Sequence, residues 1–152
     1  MENSMVLGSR TSERTWSWAQ WRGLPKEERW SALAELCRLP AVCTWAAAVK
    51  WFDEAIDEFV QRAKEEVSDE KKWPEILKEA YRISKSDKDS WYRWRRLSPS
   101  TKEKRLYRRG RFGDERFSYD HAASCLSNAI DNVELTLRAA KSNVDLKREG
   151  RG

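Results

Sequence analysis

The stretch AVCTWAAAVKWFDEAIDEFVQRAKEEV, residues 41–67, decides the fold. Trp45, Val49, Phe52, Ile56, Phe59, Val60, Ala63 and Val67 recur three or four residues apart, while Asp53, Glu54, Asp57, Glu58, Glu65 and Glu66 fill the opposite face. At 3.6 residues per turn this is one apolar stripe on a helix of about seven turns. A second stripe is as regular. Ala122, Leu126, Ile130, Val133, Leu137, Ala140 and Val144 predict a helix over 118–146, with Ser118 as N-cap and Asp120 in the first turn.

Shorter helices fill the remainder. Thr11 or Ser12 is read as the cap of a helix carrying Trp16, Trp18 and Trp21, which Gly23 breaks. Pro25 opens a helix over 25–38, with Trp30, Leu33, Leu36 and Cys37 on one face. Ser68-Asp69 is a break, and Pro74 starts a helix to about 84 carrying Trp73, Ile76, Leu77, Ala80 and Tyr81. Ser86-Asp87 caps a segment with Trp91, Trp94 and Leu97, and Ser98-Pro99 opens a short helix that stops at Gly110. No segment alternates with the period of two that marks a strand. The expectation is an all-α bundle of five to six helices. It forms a single helical domain over 12–146, between a flexible N-terminus, 1–11, and a polar tail, 147–152.

The composition fits a folded chain that meets an anion. The 152 residues carry 36% charged and 39% apolar side chains, a balance that taken alone points towards disorder. Nine Trp argue against that, because each can bury roughly 150–250 Å². The net charge of +5 is concentrated. Residues 91–116, WYRWRRLSPSTKEKRLYRRGRFGDER, carry ten basic and three acidic residues, a local net charge of +7. No run of about 18 apolar residues offers a membrane span. Nor does the N-terminus read as a secretory signal, so an intracellular, cytoplasmic location is expected, with a nuclear one left open.

Within 91–116 the basic residues Arg93, Arg95, Arg96, Lys102, Lys104, Arg105, Arg108, Arg109 and Arg111 are interleaved with Tyr92, Trp94, Tyr107 and Phe112. Guanidinium groups grip phosphate bidentately, and aromatic rings stack on bases of any identity. The segment is therefore read as a nucleic-acid interface, for RNA or single strands in preference to base-read duplex DNA. The size and content fit a viral or mobile-element accessory protein, or a small ribonucleoprotein subunit. An acidic protein is the other partner that the patch suits, which would make the chain a helical adaptor. Trp16, Trp18 and Trp21 crowd a short segment and suggest a second surface, for a protein partner or for homo-oligomers.

His121 is the lone histidine, in Arg116-Phe117-Ser118-Tyr119-Asp120-His121. The Arg-x4-His spacing resembles the motif of HEPN-domain ribonucleases, helical bundles whose paired protomers form a composite, metal-independent RNA-cleaving site. The resemblance implies Arg116 stabilising phosphate charge and His121 as general acid and base. Phe117 departs from the polar residue usual after the Arg. A binder is preferred to an enzyme; an enzyme would be an endoribonuclease. Three Cys exclude a fully paired disulfide set. Cys37, Cys43, Cys125 and His121 would make a Cys3His zinc site on paper, but Cys37 and Cys125 sit beside apolar stripes as buried thiols do. No metal or cofactor is expected. The chain has no GxxxxGK[ST], GxGxxG, HExxH, GxSxG or CxxC, so an ATPase, zinc protease or serine hydrolase is not expected.

Overall fold

A computed structural model describes residues 14–37, 42–86, 90–110 and 116–151. Among them are six α-helices: α1 (Trp18–Arg22), α2 (Lys26–Cys37), α3 (Trp45–Glu65), α4 (Trp73–Ser84), α5 (Pro99–Gly110) and α6 (Tyr119–Leu146). The fold is an all-α bundle, and its two long members are the helices that the stripes predict. Two 3-10 turns, Glu70–Lys72 and Tyr92–Arg96, and a π-helical turn, Lys147–Arg151, join or extend them.

The strand reading needs correction. Three-residue strands β1 (Val42–Thr44) and β2 (Arg116–Ser118) pair antiparallel, with Val42 opposite Ser118, Cys43 opposite Phe117 and Thr44 opposite Arg116. Three residues are too few for period-two patterning to show. Each strand leads directly into a long helix, β1 into α3 and β2 into α6, so the ladder fixes where both helices begin. Ser118 both ends β2 and directly precedes α6, the position expected of its N-cap, and its Oγ donates to Asp120 Oδ1 at 2.7 Å.

Helix starts follow local chemistry. The cap of α1 is Ser17, not Thr11 or Ser12, which lie outside the described residues. Ser17 Oγ accepts from the Gln20 amide at 3.1 Å, while Gln20 Oε1 accepts from the Ser17 amide at 2.8 Å. This reciprocal box needs the Ser-x-x-Gln spacing, which residues 17–20 supply. Pro74 sits in the first turn of α4, and Gly23 ends α1, as expected.

The chain divides into two compact units, each of two stretches: Met1–Glu54 with Ser98–Ser127, and Ala55–Leu97 with Asn128–Gly152. The first buries Trp18, Trp21, Leu33, Trp51, Phe52, Leu106 and Leu126. The second buries Ile56, Ile76, Trp91, Tyr92, Trp94, Ile130 and Val133. At about 25 cal/mol per Å², each enclosed Trp contributes on the order of 4–6 kcal/mol of transfer free energy. Among the described residues Trp18, Trp21, Trp45, Trp51, Trp91 and Trp94 are buried, so indoles carry a large share of the core beside its Leu, Ile and Val. The N-terminal Trp cluster is part of it. Trp18 and Trp21 are fully buried, and Trp16, Trp18 and Trp21 stack edge to face with centroids 5.1 and 5.5 Å apart. Trp18 and Trp21 therefore offer no surface to a partner, and only Trp16 is half-exposed.

Among the described residues of the second unit one carboxylate is buried. Glu79 is 6% exposed and takes two hydrogen bonds from the Arg82 guanidinium, at 2.8 and 2.5 Å, and one from Asn143 Nδ2 at 2.7 Å. The Arg82 bonds, more than the cost of burial, hold its pKa down at about 2. The C-terminal segment read as a tail is tied down in this unit. Arg148 bonds Glu75 and lies 3.9 Å from Asp69.

Candidate nucleic-acid interface

The segment 91–116 divides by structure into a 3-10 turn, helix α5 and strand β2. The turn belongs to the second unit. Backbone bonds from the Trp94 amide to the Trp91 carbonyl and from the Leu97 amide to the Trp94 carbonyl, both 3.0 Å, set its three-residue repeat. The Trp91 amide donates to Asn132 Oδ1 at 2.7 Å and anchors its start.

That geometry overturns half of the expected stacking surface. Tyr92 and Trp94 are fully buried, so neither presents a ring to a base. Trp94 packs against Trp91 with centroids 5.4 Å apart, and Tyr92 meets Tyr81 edge-on at 4.7 Å. Burial pushes the Tyr92 hydroxyl up to about 12. The aromatics are the inward side of the turn, and Arg93, Arg95 and Arg96 are its exposed side. The three guanidiniums differ. Arg95 lies 3.5 Å from Asp57, a carboxylate that is 67% exposed on the face opposite the apolar stripe of α3, as its position in sequence predicts. Arg96 lies over Tyr81, with its guanidinium carbon 3.8 Å from the ring centroid.

Helix α5 belongs to the first unit. Leu106, fully buried, anchors it. Lys102 is expected at the interface but is tied into its own unit: its Nζ contacts Asp53 at 2.9 Å, and its side chain is 13% exposed. Lys104, Tyr107 and Arg108 are exposed, and their i, i+3, i+4 spacing places them on one helix face. Arg105, half-buried, borders that face. Tyr107 is 46% exposed, and its ring rests against Trp45 at 5.9 Å with planes 61° apart. A stacking platform needs both a braced ring and ring surface open to water. The side chains of Arg109, Arg111 and Phe112 lie outside the described residues.

The remaining candidates sit near the start of α6. Arg116 is in β2 opposite Thr44, and its side chain is not described. His121 is exposed, with Nδ1 2.9 Å from Ser118 Oγ and 3.6 Å from Asp120 Oδ1. The Ser118 hydroxyl is the main reason that the Asp120 pKa is lowered. The zinc reading fails on geometry: among the described residues no three His, Cys, Asp or Glu side chains are placed to hold a metal ion. Cys43 is fully buried, and desolvation pushes its thiol and that of Cys37 up.

Sequence reading missed Tyr81 and Trp45 as supports, and Asp53 and Asp57 as counter-ions. None of these contacts has a local signal, since each partner is more than ten residues away in the chain. Among the described residues no helix is long and apolar enough to cross a membrane. No family model matches the chain, and neither a curated protein nor a solved structure matches it.

Proposed function

We propose that this chain binds nucleic acid, RNA or single strands in preference to base-read duplex, through the exposed face of α5. One observation carries the reading: Tyr107, braced on Trp45, is half-exposed on the same helix face as Lys104 and Arg108. Cations neutralise phosphates while the ring stacks on a base, and neither contact needs a particular sequence. The basic excess of residues 91–116 supplies the long-range attraction.

The test is binding of a labelled single-stranded RNA as salt is raised from low to physiological concentration. Affinity is expected to fall steeply, each neutralised phosphate adding about 0.7 to the slope of log K against log salt. Tyr107→Ala should weaken binding by about 1–3 kcal/mol, roughly 5- to 150-fold, and Tyr107→Phe should restore it. Absence of binding at low salt would sink the proposal and leave the adaptor for an acidic protein. The ribonuclease reading has one observation in its favour, an exposed His121 whose Nδ1 is held by Ser118. Cleavage of the same RNA that vanishes in His121→Ala, with binding retained, would establish it.

A further inference from the structure

The 3-10 turn Tyr92–Arg96 holds its arginines in a fixed relation that the α5 face does not share. With three residues per turn, side chains three apart eclipse one another. Arg93 and Arg96 therefore project from the same side of the turn, about 6 Å apart along its axis at roughly 2.0 Å per residue. Arg95 points elsewhere and is engaged by Asp57. The turn itself is nailed in place by the burial of Tyr92 and Trp94 on its inner side. Arg96 is further pre-set by its close contact over the Tyr81 ring, 3.8 Å from the centroid, and Tyr81 itself packs edge-on against Tyr92. A guanidinium stacked on a ring keeps its N–H edge for an acceptor and loses less rotamer freedom when it binds one.

We propose that Arg93 and Arg96 form a clamp for two neighbouring phosphoryl groups of one chain, with Tyr81 as positioning residue and Arg95 outside the clamp. The recognised chemistry is a pair of linked phosphates, from a single-stranded backbone or from a free polyphosphate. Each guanidinium donates a bidentate pair of hydrogen bonds to one phosphoryl group. Where the ligand is a strand, the inference rests on the nucleic-acid reading above. It adds a second contact, in the other unit from α5, that neutralises phosphate without stacking on a base.

Two measurements test it. In the first, labelled single-stranded RNA is titrated at several salt concentrations with the full chain, with R93Q/R96Q and with R95Q. Loss of two phosphate contacts should flatten the slope of log K against log salt by about 1.4, at about 0.7 each. R95Q should leave the slope where it was. An unchanged slope in the double variant, or an equal flattening in R95Q, overturns the clamp while leaving the α5 reading intact. In the second, sodium tripolyphosphate is added and the arginine Nε–Hε resonances are followed by NMR. Arg93 and Arg96 should shift together and Arg95 should not. That result stands even if the full chain binds no RNA, and it would then make a free polyphosphate the ligand. Equal shifts at all three arginines, or none, overturn the proposal.

Discussion

Replacing Glu79 with Gln removes a carboxylate that the second unit encloses. The charge is 6% exposed, and three hydrogen bonds from Arg82 and Asn143 hold it. Its pKa falls from an ordinary 4.5 to about 2. At 1.36 kcal/mol per unit the shift sets a ceiling of about 3 kcal/mol on what ionised Glu79 adds to stability. Arg82 is 67% exposed, so solvent screens its half of the pair, and we expect about 1–2 kcal/mol. The sign follows from the direction. A carboxyl with a depressed folded pKa binds protons more readily when unfolded, so its contribution is complete above pH 4.5 and is lost as pH falls towards 2. For a shift of this size, only about 40% remains at pH 3. The assay is urea unfolding followed by Trp fluorescence, for the wild type and Glu79→Gln, between pH 7 and pH 3. The difference between the two proteins should be largest at pH 7 and shrink by more than half by pH 3. A difference that is constant with pH, or absent at pH 7, would refute the account of Glu79 as a charge stabilised by its hydrogen bonds.

Other consequences are simpler to read. Trp94→Ala should destabilise the fold by about 3–5 kcal/mol, seen as a lowered Tm, because it empties a fully enclosed site. A loss of RNA binding in that variant with Tm unchanged would contradict its burial. Ser17→Ala removes the capping box of α1 and should cost about 1 kcal/mol, read as roughly fivefold faster exchange of the Gln20 amide. Among the three thiols, a native-state titration with a thiol-specific disulfide reagent should modify half-buried Cys125 first. Cys43, enclosed and with a raised pKa, should react only on unfolding.

The long helices were legible because their stripes run for many turns, and no local accident can imitate such a period. The ends were less so. The sequence predicts α3 from 41, but the structure starts it at Trp45, because residues 42–44 spend their backbone bonds on β2. That pairing joins segments more than seventy residues apart, and no local pattern encodes it. The first cap was misplaced for a different reason. Thr11 and Ser12 have capping side chains, but Ser17 has Gln20 three residues on, and the reciprocal bond decides between them.

The site shows where composition misleads. Arg and aromatic residues interleaved in sequence suggest arginines and rings interleaved on a surface. In residues 92–96 the backbone separates them, because a 3-10 turn turns Tyr92 and Trp94 inward and the arginines outward. On the proposed phosphate reading, burying the rings would still serve the cations: a flexible loop would lose backbone entropy on ordering around phosphate, which a turn fixed by two enclosed aromatic rings has already lost on folding. In α5 the reverse holds. Leu106 does the anchoring, so Tyr107 is left at the surface, where only Trp45 restrains it. The same residue types thus take opposite roles a few turns apart, and what assigns the roles is which apolar side chain each element has available to bury.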